Sequence, residues 1–470
     1  MESNTYKNKI GAFFRGIARA VSDNDTDYTN VRLRKALWML SIPMVLEVIM
    51  ESVFGVVDIF FVSKLGADAV ATVGVTESLL TVIYAISLGL GMGTTALISR
   101  RIGEKHAEQA RHVAFQAILT GMVISVFIAI PGWIFARDIL MLMGGSARMV
   151  QQYSGYTSIL IGSNLVIMLL FIINAIFRSA GDASMAMRVL WISNIINLIL
   201  DPLLIFGYGP VPAMGIEGAA IATTIGRGTG VCYQLYLLCC GKGRIRLKSE
   251  HMKPDLRVIG QLIRLSLGGI GQNIIATSSW IVLMRIVSVF GSTVLAGYTI
   301  AIRVMVFALF PSWGISNAAA TLVGQNLGAG KSDRAEKAVW AAGWVNMAGL
   351  GAIGLVFTFI PHLFIRFFTR EPEIIMAGAQ ALRIISYGFV LYGLSMVLLN
   401  AINGAGDTIT PTKLNFVCFW LIEIPLAWLL ALYFDLAARG VFLSIVIAES
   451  MLCLLALWWF RKGKWKLKKV

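Results

Sequence analysis

Apolar residues run through this chain in long continuous stretches. A helix that crosses a bilayer takes about 20 mostly apolar residues. Glycine, proline and charge clusters divide the sequence into twelve such stretches, at approximately 36–62, 69–98, 112–135, 155–177, 185–207, 217–240, 264–289, 294–322, 335–360, 377–402, 411–434 and 438–460. A membrane barrel would instead show segments of about ten residues with period-two alternation. The pattern therefore predicts an all-α integral membrane fold of twelve transmembrane helices. Composition agrees: 57% of residues are hydrophobic and 14% charged, against about a quarter charged in soluble domains.

Charge adds orientation. The net charge of +15 raises nucleic acid as a partner, but its distribution excludes it. If the N-terminus is cytoplasmic, 30 of the 40 Lys and Arg fall in the tails, loops and adjoining span ends of that side and 7 on the other, with Arg227, Arg285 and Arg303 deeper inside spans. The positive-inside rule accounts for this bias and predicts both termini in the cytoplasm, the lipid bilayer as partner and no nucleic acid. No cleavable signal is expected before span 1. Residues 10–21 suit either a short helix lying on the inner leaflet or a basic tail. The five cysteines sit in apolar stretches without metal-ligand spacing and read as small core residues.

The chain also repeats itself at an offset of about 225 residues. Leu97, Ile98, Ile102-Gly103 and Ala110 recur as Leu322, Val323, Leu327-Gly328 and Ala335. Leu40-Ser41 and Gly66 recur as Leu265-Ser266 and Gly291, and Asn174-Ala175-Ile176 with Gly181-Asp182 as Asn400-Ala401-Ile402 with Gly406-Asp407. Six spans per half put both halves in from the same side, as parallel repeats. The predicted organisation is a basic tail (1–35), a six-helix lobe (36–240), a cytoplasmic linker (241–263), a second lobe (264–460) and a second basic tail (461–470). Parallel repeats recur in secondary transporters, with the substrate path between the halves and access alternating by rocking.

The halves differ in chemistry. Glu47, Glu51 and Asp58 in span 1 fall within 40° of one another on a helix at about 100° per residue, where span 7 has Gln272, Ala276 and Leu283. A carboxylate at bilayer depth costs at least about 2.5 kcal/mol, so three on one face need a compensating partner or water, and the stripe is expected to face a cavity. By depth, Asp58, Glu77, Asn197 and Asp201 share the outer half, able to surround one cation or hold one proton. For Glu423 and Glu449 in the second half, ion pairs with Arg285 and Arg303 are the favoured reading over substrate contact.

These residues resemble the multidrug and toxic compound extrusion (MATE) transporters from about residue 32 to 460. The resemblance rests on Pro43 with Glu51-Ser52, Val57-Asp58 and Lys64-Leu65-Gly66; Ser99-Arg100 with Gly103; Asn174 with Arg178 and Gly181-Asp182; Asn197 with Asp201-Pro202; Gly215 to Ala220; and Val323 to Gly330. It implies two pseudo-symmetric six-helix lobes around a central cavity. It implies export of small, cationic or amphipathic organic compounds coupled to inward H⁺ or Na⁺ flow, with no other cofactor. Asp58, Asn197, Asp201 and Thr223 would form the cation or proton site, with Na⁺ at the first three. Asn174 would face the substrate cavity, which Glu47, Glu51 and Glu77 also line, and Pro43 would let span 1 bend. Neither the span-7 glutamate nor the span-10 aspartate of NorM-like members has a counterpart, which points to the DinF-like branch and a site confined to the first half. Many relatives have glutamine at Glu51, which adds a titratable group here. The protein is then expected to be a monomer in a bacterial cytoplasmic (inner) membrane. The alternatives are a lipid-linked oligosaccharide flippase of the same superfamily and a membrane-embedded enzyme. Against the enzyme, the sequence offers no metal-ligand cluster, phosphate loop or nucleophile-base constellation.

Overall fold

The computed structural model describes residues 20–21, 26–241 and 243–468; most of the segment read as an inner-leaflet helix or basic tail, residues 10–19, lies outside them. Twelve helical spans follow one another: α1 (Leu33–Ser63), α2 (Ala67–Gly103), α3 (Ala107–Ile134), α4 (Ala147–Ala180), α5 (Ala183–Phe206), α6 (Gly215–Cys240), α7 (Leu256–Ser288), α8 (Ser292–Gly328), α9 (Ser332–Phe359), α10 (Pro372–Ser386 and Phe389–Gly404, bent by 57°), α11 (Ile409–Tyr433) and α12 (Ala438–Arg461). Nine are single helices long and apolar enough to cross a membrane, and the bent pair makes a tenth. The other two, α1 and α6, have 31 and 26 residues and carry Glu47, Glu51, Asp58 and Arg227. Among the described residues there is no strand, only a Tyr208–Val211 bridge.

The repeat is visible in the backbone. Gly66 precedes α2 at φ 110° and Gly291 precedes α8 at φ 102°, while Gly181 and Gly406 end α4 and α10 at 99° and 91°. An L side chain is strained at these angles, so glycine returns where each lobe repeats the turn. Short helices, Ala136–Leu142 and Pro361–Ile365, likewise follow α3 and α9.

Helix α7 starts eight residues before the apolar stretch suggested, because the Asp255 carboxylate accepts from the backbone N–H of Arg257 and Val258 and caps it. The expectation of five core cysteines is corrected as well. Cys418 and Cys453 are buried, but Cys232, Cys239 and Cys240 are exposed on the outer face of α6.

The lobes meet along α1 against α8 and α2 against α7 and α8. Small residues make the approach possible. A side chain at Gly103 would strike the Gln325 backbone, one at Gly328 the Arg100 carbonyl, and one at Gly314 the backbone of Val45. These contacts cluster in the halves of the helices nearest the terminal face, the one at which α1 begins and α12 ends. Every described hydrogen bond between the lobes lies there too, including Gln325 Nε2 to the Ser179 carbonyl at 2.8 Å and Arg100 Nη2 to the Lys468 carbonyl at 3.1 Å. The preceding turn joins them: Lys331 Nζ donates to Thr29 O (3.0 Å) and Asn30 Oδ1 (2.6 Å), Arg334 to the Tyr28 and Val31 carbonyls, and the Tyr28 hydroxyl to Gly181 O (3.2 Å). Among the described residues, no hydrogen bond or ion pair links the opposite halves of the lobes.

Candidate functional site

Helix α1 carries its three acids to different surroundings. Glu47 is buried and accepts from Arg178 Nη1 at 2.5 Å and Asn174 Nδ2 at 3.1 Å. Gln234 Nε2 in turn donates to Asn174 Oδ1 at 2.7 Å and to the Leu170 carbonyl at 3.2 Å. One turn further, Glu51 accepts from Arg227 Nη2 at 2.8 Å. Arg227 is itself buried, its guanidinium carbon 4.9 Å from the Phe54 ring centre and 5.8 Å from that of Tyr84, a cation–π environment for a charge out of water.

Two of the three members of the acidic stripe thus meet a basic partner: α4 supplies a guanidinium to buried Glu47 and α6 one to half-buried Glu51. Neither pairing could be read from the chain, since Arg178 and Arg227 lie 131 and 176 residues from their partners. Asn174 is buried within the Glu47 cluster. In the lobe interface beside it, a small pocket is lined by Arg178, Asn317, Asn400, Asn403, Ser87 and Thr321 among others.

Asp58 differs. It is 7% exposed and its Oδ1 has no hydrogen-bond partner. Asp201 on α5 is fully buried; its Oδ1 accepts from Asn197 Nδ2 at 3.1 Å, and its Oδ2 is also unpartnered. Asn197 Nδ2 further reaches Thr223 Oγ1 on α6 at 3.4 Å. Asp58 and Asp201 are close enough for their charges to repel one another, and Glu77 on α2, which is exposed, repels Asp58 as well. Thus α1, α5 and α6 bring Asp58, Asn197, Asp201 and Thr223 together, with Glu77 at the margin and Glu47 apart. Tyr156 of α4, buried within the field of Asp58, Glu77 and Asp201, was missed. A tyrosine inside an apolar stretch gives no signal of what it faces.

The set consists of hard oxygen donors with two orphaned carboxylate oxygens, and no described salt bridge reaches Asp58 or Asp201. It fits a proton or a sodium ion: Asp58 and Asp201 would hold it, with Asn197 and Thr223 supplying neutral oxygens. In the second lobe the favoured ion pairs are absent among the described residues. Arg285 and Arg303 are exposed and bond neither Glu423 nor Glu449, which are buried. Among the described residues, Ser279 is the one hydrogen-bond partner of Glu423.

The MatE family model matches residues 43–203 and 270–429, one copy per lobe. The chain belongs to the MATE family of transporters. It is 25% identical over 445 residues to a probable multidrug resistance protein NorM of Thermotoga maritima, covering 93% of this chain and 94% of that one. It is also 25% identical to a probable multidrug resistance protein YoeA of Bacillus subtilis, covering 94% and 97%. A MOP superfamily transporter from Pyrococcus furiosus superposes with a TM-score of 0.87 at 23% identity, covering 97% of this chain and 99% of that one. MATE structures in bent and in straight conformations each superpose at 0.86, also at 23% identity. The MATE chain is a transporter and not an enzyme.

Proposed function

We propose that this MATE protein is a multidrug antiporter that exports small amphipathic or cationic organic compounds, driven by inward flow of H⁺ or Na⁺. One observation carries the coupling: Asp58 and Asp201 are buried close together, each with an unpartnered carboxylate oxygen. Two such charges repel and are costly to bury, so binding a cation and losing it are both linked to how far water reaches the site. The excess of Lys and Arg on the side where α1 begins supports a cytoplasmic location for that side; the interlobe hydrogen bonds gathered there hold that face together, which supports an outward-facing conformation. The coupling cation then enters from outside and its arrival favours release of the exported compound. A coupling site confined to the first lobe is the DinF-like arrangement. The working unit is a monomer in the cytoplasmic membrane, with no cofactor besides the coupling ion.

Proteoliposomes carrying a fluorescent organic cation, with pH and Na⁺ gradients imposed in turn, test this. Wild-type protein is expected to move the dye with one gradient, and Asp58→Asn to lose at least ten-fold of that flux at equal insertion. Undiminished gradient-driven flux in Asp58→Asn removes Asp58 from the coupling site.

A further inference from the structure

The second lobe holds a pocket of its own, walled by Trp280 on α7, Tyr298 on α8, Tyr392 on α10 and, from α11 and α12, Glu423 and Glu449. The two glutamates are 1% and 9% exposed. Ser279 Oγ donates to Glu423 Oε2 at 2.8 Å, whereas Glu449 Oε2 is buried with no hydrogen-bond partner at all. No Lys, Arg or His lines the pocket. The other titratable groups around the pair are phenols and thiols, uncharged at their ordinary pKa values: Tyr298 on α8, Tyr392 on α10, Cys418 on α11 and Cys453 on α12. The backbone is irregular here as well. Helix α11 is π-helical from Phe416 through Glu423, and Pro425 follows two residues later. Single-turn π segments in α-helices recur at functional positions, because the widened turn re-aims a side chain at the expense of regular hydrogen bonding.

A lone buried carboxylate costs several kcal/mol unless it is neutralised, and two sharing one pocket cannot both stay charged without a cation between them. The first lobe meets that demand with Arg178 and Arg227; the second supplies no basic residue. The pocket leaves room for about one water-sized guest, which excludes an organic molecule. We propose that Glu423 and Glu449 form a second monovalent-cation site, in which one proton or one sodium ion is held between the two carboxylates with Ser279 and Tyr392 beside them. The site is separate from Asp58 and stands or falls independently of it. It adds a cation site in the second lobe to the coupling site proposed for the first.

Infrared difference spectra of the full-length protein in lipid nanodiscs, recorded across a pH step with and without Na⁺, read the carboxylic acid C=O band directly. The measurement is made in Asp58→Asn/Asp201→Asn protein, so that the Asp58–Asp201 pair is silent and failure there is distinguishable from failure here; the bands of all other carboxyls cancel when this protein is compared with its Glu423 or Glu449 variant. A pH-dependent band is expected to persist in that background and to vanish when Glu449→Gln or Glu423→Gln is added. Added Na⁺ removes the band if sodium is the ion and leaves it if the proton is. Either result supports the site. A band insensitive to pH and Na⁺ marks permanently protonated structural acids and overturns the proposal, as does a spectrum that neither glutamine variant changes. Should a glutamine variant fail to fold, Glu423→Asp or Glu449→Asp takes its place, and a spectrum that neither aspartate variant shifts overturns the proposal.

Discussion

Glu51 and Arg227 show how a residue's neighbours redefine it. Read alone, Glu51 is a second proton acceptor, a contact for a cationic substrate or a hydrogen-bonding stand-in for glutamine. Bound to Arg227 at 2.8 Å, it is the counter-charge of a buried guanidinium whose Nε and Nη1 have no hydrogen-bond partner. Removing one partner of such a pair strands the other, typically at about 3–5 kcal/mol, while replacing both with apolar groups is often neutral. Glu51→Gln is thus expected to lose about 3 kcal/mol of stability in thermal unfolding of purified protein, and Glu51→Leu/Arg227→Met to recover most of it. Equal losses in both variants would show that the pair contributes nothing beyond shape. The acids themselves were legible, because a carboxylate in an apolar stretch stands out, and depth alone grouped Asp58 with Asn197 and Asp201. What was not legible is which acids meet a base, since helix rotation and packing decide that and neither leaves a trace in the local sequence.

Among the helices, α1 belongs to both lobes. Its first half packs into the core of α8, α9, α10 and α12 through Leu37, Leu40 and Met44, and its second half carries Asp58 to α5 and α6. Pro43 lies between them, inside the helix and buried. A proline there removes a backbone hydrogen bond and lets the two halves swing. Pro43→Ala is expected to lower the rate of transport several-fold while substrate affinity in binding titrations stays at the wild-type value. Weakened affinity with unchanged turnover of bound substrate would instead assign Pro43 to the shape of the cavity. Helix existence and order followed from hydropathy, and Gly66, Gly181, Gly291 and Gly406 followed from the repeat. The ends were harder. The early start of α7 depends on one capping carboxylate, and the π turns of α11 arise within an unbroken apolar run that reads as an ordinary helix.

At the scale of the whole molecule, changing access requires the lobes to part on the terminal face, and the segment Asp27–Val31 is what they must release. Arg244 of the linker donates to Thr26 O at 2.5 Å and the Tyr28 hydroxyl to Gly181 O on the first lobe, while Lys331 and Arg334 hold residues 28–31 from the second. Asp27 organises the turn: burial alone would raise its pKa, but hydrogen bonds from Thr29 and Asn30 outweigh it and hold the carboxylate below its ordinary 3.8. A depressed carboxylate stabilises above the unfolded value and loses that contribution as pH falls through the folded one, so the protection factors of the amides at residues 26–31, taken against intrinsic exchange at each pH, should be flat from neutral pH down to about that 3.8 and fall only in stronger acid. Hydrogen bonds to charged donors are each worth about 1.5–3 kcal/mol. Lys331→Ala/Arg334→Ala should then favour the conformation open to the terminal face by roughly 3 kcal/mol, on the order of a hundred-fold in population. Thr321→Cys, placed in the interlobe pocket of a chain whose native cysteines are replaced, reports this through a membrane-impermeant thiol reagent supplied from the terminal side. Labelling is expected to accelerate markedly in the Lys331→Ala/Arg334→Ala background and to slow again when a saturating coupling ion favours the closed terminal face. Identical labelling rates with and without Lys331 and Arg334 would mean that the strap merely follows the lobes and the glycine-lined contacts of α2 with α8 alone keep the terminal face shut.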